Sequence, residues 1–373
     1  MLIRSWVVLA ATSVLSCALA APADAVPAPV LDLPSVLLKA MEGTQTPALV
    51  AAVLRDGGIA QQAVQGLRRN DGTARASIDD AWLIGSDAKP MTAALILRLV
   101  DRGVLSLETP LATLLPALAE SMHPQYRQVT LRQLLSHRSG LPDDVVDESF
   151  IGAFHADTRS MPAQRLAYIG VALKDAPVAA PGTKFSYSNT GFLVAAAVAE
   201  HVTATPYELL VRREVFEPLH MVSVGYGPTP DGQPVGHTLG RPVGRPEQSI
   251  PLMFAPAGNM HMSVGDWSRF CLDQLAGARG SGRLLAAGSY GQMQSAAGGN
   301  VGNIGWGVQD SIAGHKGPVL IHAGSDGNWY AVVVLFPHTG QGVLVAANAG
   351  PDMGGDKAAM AALLELLPSN GNR

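Results

Sequence analysis

The sequence predicts an α/β fold: an antiparallel sheet built from both chain ends and flanked by helices, with a mainly helical lobe inserted between its halves. Three observations lead there. Two apolar runs around a tight turn mark a β-hairpin near the start, and three strand-like runs crowd the tail. Between them, from about Pro90 to Leu285, the texture is helical and broken by Pro/Gly loops. Apolar residues make up 47% of the 373 positions and charged residues 15%, which supplies a large core and argues against a disordered chain.

Residues 1–25 begin with a short positive region at Arg4, continue in an apolar run from Trp6 to about Ala20, and end in small residues. Ala18-Leu19-Ala20 and Ala23-Asp24-Ala25 both fit cleavage of the A-x-A kind. The segment is therefore expected to be a signal peptide and the mature protein periplasmic or secreted. The apolar run is shorter than the ~20 residues a bilayer-spanning helix needs, so a membrane anchor is the second reading and no span is expected in the mature chain. Val14-Leu15-Ser16-Cys17 also loosely resembles a lipoprotein signal, a minor alternative. Cleavage removes Cys17 and leaves Cys271 as a lone thiol.

Residues 34–43 read as a short helix closed by Gly43. Ala48–Arg55 and Ile59–Gly66 form the hairpin, turning at Asp56-Gly57-Gly58. Met91 begins a helix that stops at Gly103, and LRQLLSH, PAQRLAYIGVALKDA and GFLVAAAVAEHV continue the helical pattern. Strands are expected at Val319–His322, Trp329–Phe336 and Gly342–Ala347, with a closing helix at about Lys357–Leu367. These elements divide the chain into a signal peptide (1–25), an α/β lobe (26–89 and 286–373), and a mainly helical lobe carrying active-site loops (90–285).

Net charge is −4 and no long basic run occurs, which argues against a nucleic-acid partner or a polybasic membrane patch. No Cys/His cluster has zinc spacing. Acyl transfer to serine needs a hydroxyl, a base and donors for the oxyanion. Of six lysines only Lys89 has serine three places before it, and on a helix Ser86 and Lys89 share a face. Lys89 acts as a base only if burial or neighbouring charge adjusts its ammonium. Of seven tyrosines only Tyr187 has asparagine two places on, at Asn189. A tyrosine beside a lysine can pass a proton in both directions, and asparagine offers a donor and an acceptor. By itself, this segment also reads as a polar turn after Pro181-Gly182. His-x-Gly occurs at His315, His322 and His338. The first and third read as turns, whereas His322 ends one apolar strand and precedes another, where a strand edge offers backbone N–H groups to a substrate.

Ser-x-x-Lys, Tyr-x-Asn and a strand-borne His-x-Gly, in that order, resemble the serine β-lactamase-like, penicillin-recognising hydrolases. The tyrosine variant is similar to class C β-lactamases, D-alanyl-D-alanine carboxypeptidases and related esterases and D-aminopeptidases. Leu131–Pro142, Pro218-Leu219-His220-Met221 and Pro256-Ala257-Gly258-Asn259 resemble recurrent loops of that group, so the likeness spans nearly the whole mature chain. The resemblance implies an α/β lobe and a helical lobe with the site between them, and no metal or organic cofactor. It makes Ser86 the nucleophile, Lys89 its partner and Tyr187 the proton shuttle. Asn189 contacts the substrate, His322 and Gly324 line the edge strand, and the N–H groups of Ser86 and Ser325 form the oxyanion hole. The substrate is a small ester, or an amide or peptide with a D-residue, hydrolysed through an acyl-enzyme. A true β-lactamase is the rival enzyme, and a non-catalytic penicillin-binding-like sensor or structural module the rival from another class. Oligomeric state is not read from the sequence.

Two departures bear on this. Proline disfavours helical geometry at the residue before it, so Pro90 predicts strain at Lys89 unless it falls in the first helical turn. His322 stands in place of the lysine of other members, and histidine holds a charge only near or below pH ~6.5; members with histidine here include peptidases and esterases, which turns the expectation away from β-lactams. His137 and His261 are expected to be structural, Met260 and Met262 core or cleft lining, and Asp143-Asp144 a solvated loop.

Overall fold

The structure is a computed structural model that describes residues 32–368 apart from 146, 244, 246, 247 and 296–302. The expected signal peptide lies outside the described residues.

Helix α1 (Leu33–Met41) is followed by the hairpin β1 (Ala48–Arg55) and β2 (Gly58–Gly66). The tail gives β8 (Gly307–Ile312), β9 (His315–Ser325), β10 (Tyr330–Phe336) and β11 (Gln341–Ala347), then helix α11 (Gly355–Leu366). These six strands form one antiparallel sheet in the order β2-β1-β11-β10-β9-β8. The last strand therefore lies beside the first, as the two-ended pattern predicts. β1, β10 and β11 are near-continuous apolar runs because both of their faces are covered. Leu49, Val332, Val334, Val343 and Val345 pack under α1 and α11, while Val50, Ala331, Val333 and Leu344 face the main core.

The sequence reading missed β8, whose Gln309-Asp310-Ser311 is polar because the strand lies at the sheet edge. It also placed His315–Gly317 in a turn. Those residues open β9, with Ile312 opposite His315, and the chain reverses at Ala313-Gly314, both at positive φ.

Between the sheet halves lie the short strands β3 (Trp82–Leu83), β4 (Gly225–Tyr226), β5 (Gly236–Thr238), β6 (Arg241–Val243) and β7 (Met260–Met262). The helices there are α2 (Lys89–Asp101), α3 (Leu111–Leu114), α4 (Leu131–Leu135), α5 (Glu148–Gly152), α6 (Met161–Ala172), α7 (Asn189–Thr203), α8 (Tyr207–Val211), α9 (Val264–Gly277) and α10 (Ala287–Gln294). α9 packs against β1, β10 and β11, so one helix from the 90–285 stretch covers the sheet. α2 is apolar around most of its circumference, and every residue from Lys89 to Leu97 is buried. It stops at Gly103 (φ +70°), where the N–H of Gly103 reaches Val100 O and that of Val104 reaches Leu99 O, a Schellman ending. No helix among the described residues is long and apolar enough to cross a membrane.

Candidate active site

Strand β3 leads into one turn of 3₁₀ helix, Gly85–Ala88, which runs directly into α2. Gly85 has φ +52°, and a Cβ there would lie 2.5 Å from Ser325 N. A Cβ on Gly324 would lie 2.1 Å from Ile84 O and 2.5 Å from Ser86 N. Two glycines thus let the Ser86 turn press against strand β9, bringing the backbone nitrogens of Ser86 and Ser325 close together. The strain expected from Pro90 is absent. Lys89 has ordinary helical angles (φ −59°, ψ −42°), because Pro90 sits in the first turn of α2.

Lys89 is completely buried. Its Nζ lies 3.0 Å from Ser86 Oγ, 2.7 Å from Asn189 Oδ1 and 2.6 Å from Ala257 O. Burial pulls its pKa down to about 7, against an upward pull from Asp143, Asp144 and Asp87. The three partners decide what the amine can do. The Ala257 carbonyl can only accept, and Asn189 presents its oxygen because its Nδ2 donates to Asp143 Oδ1 (2.9 Å) and Asp144 Oδ2 (3.0 Å). A neutral amine spends its two N–H groups on these acceptors and aims its lone pair at the Ser86 hydroxyl. Tyr187 donates to the same Ser86 Oγ at 2.7 Å. Its pKa is driven up by burial, so the group is a phenol at neutral pH.

Tyr187 and Asn189 are held by the start of α7. Ser188 caps that helix, accepting from Gly191 N at 3.0 Å and donating to Pro142 O at 2.6 Å. The backbone N–H of Ser188 donates to His137 Nδ1 (3.0 Å), and the His137 ring stacks on that of Tyr187 at 4.5 Å. Burial, assisted by Lys89, depresses His137 to about 3, so it is a neutral packing element beside the reacting groups. His261 is buried on β7, its Nδ1 2.9 Å from Gly227 O, and Met260 and Met262 are core. The Asp143-Asp144 pair departs from a purely solvated loop: Asp143 is exposed, but both carboxylates hold the Asn189 amide.

The structure brings Ser86, Lys89, Tyr187 and Asn189 into one hydrogen-bonded cluster and sets Gly324 and Ser325 against the Ser86 turn. His322 lies beside this cluster and, with Tyr187, His137 and Trp306, lines a cavity of about 290 Å³. A larger cavity of about 810 Å³ lies near Arg68, Arg69 and Arg245 and includes none of the expected site residues. Arg68 and Arg69 there are paired with Asp80 and Asp71. No group of His, Cys, Asp or Glu among the described residues could hold a metal. Sequence reasoning missed the carbonyl of Ala257 and the side chain of Asp87. The first lay within a quoted loop, but nothing in a sequence shows where a carbonyl points.

Residues 35–367 match the family model described as Beta-lactamase. The chain belongs to the beta-lactamase family. It is 28% identical over 333 residues to penicillin-binding protein 4 of Amycolatopsis lactamdurans, covering 82% of this chain and 81% of that one. It is 31% identical over 185 residues to the D-alanyl-D-alanine-carboxypeptidase/endopeptidase AmpH of Escherichia coli K12, covering 49% of this chain and 46% of AmpH. Among solved structures, a D-stereospecific amidohydrolase from Streptomyces sp. superposes with TM-score 0.69 at 25% identity, over 88% of this chain and 98% of that one. The octameric penicillin-binding protein homologue from Pyrococcus abyssi gives TM-score 0.74 at 24% identity over 90% and 76%, a likeness of fold. This family member is a serine hydrolase with a mixed α/β fold.

Proposed function

We propose that this chain is an exported hydrolase of small esters, or of amides and peptides bearing a D-residue, working through an acyl-enzyme at Ser86. The observation that carries the reading is the buried Lys89 amine, whose two obligate acceptors leave its lone pair for the Ser86 hydroxyl.

In the first step Ser86 Oγ attacks the substrate carbonyl carbon and its proton passes to Lys89 Nζ. The carbonyl oxygen takes the charge beside the N–H groups of Ser86 and Ser325. Collapse breaks the bond to the leaving group, which receives a proton from Tyr187, and Lys89 returns a proton to Tyr187. Water then attacks the acyl carbon, giving its proton to the same pair, and Ser86 leaves as the free hydroxyl. Asn189 holds Lys89 in place, and His322 and Gly324 line the edge beside the substrate. In the substrate-free site both ends of the Asn189 amide are engaged by protein groups, so a substrate contact there replaces Asp143 or Asp144. A periplasmic or secreted location rests on the signal-like residues 1–25. The division into an α/β lobe and an inserted helical lobe is supported by the six-stranded sheet, whose strands all come from the two chain ends.

The test is a panel: p-nitrophenyl esters, D-aminoacyl anilides and nitrocefin, with fluorophosphonate labelling of the mature protein. One covalent adduct is expected on the Ser86 peptide, lost in Ser86→Ala, with ester or D-anilide turnover exceeding nitrocefin turnover. An adduct elsewhere, or full activity in Ser86→Ala, rules the mechanism out. Nitrocefin turnover above the others selects a β-lactamase, and no reaction with any probe selects the sensor.

A further inference from the structure

Asp87 follows the nucleophile directly, yet the reaction above does not use it. Its side chain is fully buried, and it is the one residue among the described ones with both side-chain oxygens enclosed and without a hydrogen-bond donor. Its nearest ionisable partner is His322 on β9, with Nδ1 3.4 Å from Asp87 Oδ1. The same Nδ1 lies 3.1 Å from the carbonyl of Ala323. Two acceptor oxygens around Nδ1 require the proton on that nitrogen, so Nε2 is the ring atom left to meet a ligand in the cavity. The other groups around the pair are Lys89 on α2, Cys271 on α9, Tyr330 on β10, and Tyr187 and His137 in the loops. Burial raises the thiol and both phenols and depresses His137, so Lys89 alone of these changes charge near neutrality.

We infer that Asp87 is a specificity-determining residue: it cancels the charge of His322, so the edge strand offers no net cation to a substrate carboxylate. The site then takes esters and amides whose leaving group is uncharged. This rests on the acyl-enzyme reading and narrows its substrate class. The argument is a count of protons. With two protons shared between carboxylate and imidazole the pair is neutral, whichever group holds the second. With one proton it is an anion. A net positive charge needs a third, and Asp87, pushed up by burial to about 6, accepts it only in mild acid.

The experiment compares two N-acetyl-D-alanyl esters, one with lactate and one with methyl lactate as leaving group, which differ by a single carboxylate. Their ratio of kcat/KM cancels the shared ionisation of Lys89 and the amount of active enzyme. In the wild type the acid is expected to be the poorer substrate throughout pH 6.5 to 8, where the pair is mostly neutral or anionic. Asp87→Asn should raise the ratio above the wild-type value at pH 6.5, by up to about tenfold, the scale of a charge-assisted contact, and the gain should shrink towards pH 8, where an ordinary imidazole is neutral. The gain should vanish in Asp87→Asn combined with His322→Gln. Asp87→Ser is the uncharged replacement if asparagine does not fold, and protection against fluorophosphonate labelling gives the same ratio if turnover is slow. An unchanged ratio, or a gain that persists without the imidazole, overturns the charge proposal while Ser86-dependent turnover stands. Turnover of the methyl ester that survives Ser86→Ala overturns the acyl-enzyme reading and this proposal with it.

Discussion

Replacing Lys89 with methionine separates the two things the buried amine does. Methionine has nearly the same length and no proton to give or take. Acylation of Ser86 should fall by more than ~10²-fold, the low end of what a positioned base contributes. Stability should move in a pH-dependent way whose sign follows from the depressed pKa. The folded lysine releases its proton at about 7, whereas the unfolded chain keeps it to the ordinary value of 10.5. Between those values the unfolded state binds more protons, so the wild type gains stability as pH rises. Below about 7 the full cost of burying the ammonium is present. The methionine variant lacks this dependence, so the wild type should gain on it by about 1.4 kcal/mol per pH unit between pH 7.5 and 9.5. A constant offset is expected as well, since methionine leaves Asn189 Oδ1 and Ala257 O without their donor, at roughly 1–3 kcal/mol each. That offset does not change with pH. Urea unfolding of both proteins across this range reads the slope directly. A difference that stays flat, or falls as pH rises, refutes a neutral amine in the folded enzyme and removes Lys89 as the base.

Two further perturbations test the surroundings of that amine. Asp143→Asn or Asp144→Asn removes an anion that holds Lys89 up, while asparagine can still accept from Asn189. The rising limb of kcat/KM for a neutral ester should move to lower pH, and a shift to higher pH would count against the electrostatic account. Gly324→Ala places a methyl group 2.1 Å from Ile84 O and 2.5 Å from Ser86 N, so the nucleophile turn must move off strand β9. A loss of at least ~10² in kcat with the fold retained by circular dichroism is expected, the scale of losing an oxyanion donor. Unchanged kcat would show that the Ser86–Ser325 approach is not needed.

What the sequence made legible was chemistry carried by residue type and spacing. The hairpin at 48–66 and the apolar runs of β10 and β11 were visible because both-sided burial leaves an unbroken run of small and branched side chains. Strand β8 was hidden by the same logic, since an edge strand is free to be polar. Within the site, Ser86, Lys89 and Tyr187 were found because one lysine has the serine spacing and one tyrosine the asparagine spacing. The residues that tune them were not visible. Asp143 and Asp144 read as solvated because nothing local says that a loop 45 residues upstream will fold over the Asn189 amide. His137 read as structural and is so, yet its ring fixes the plane of Tyr187. Asp87 was passed over as one position between two motif residues. The turn into α2 decides its role: the Ser86 and Lys89 side chains meet each other beside Tyr187 and Asn189, and the Asp87 side chain is buried beside His322 of strand β9. An aspartate there has one ionisable partner in reach, His322, which lies far along the chain on strand β9. Motif spacing thus picks out the candidate reacting groups, while the charge around them is set by contacts between segments distant in the chain that only the fold creates.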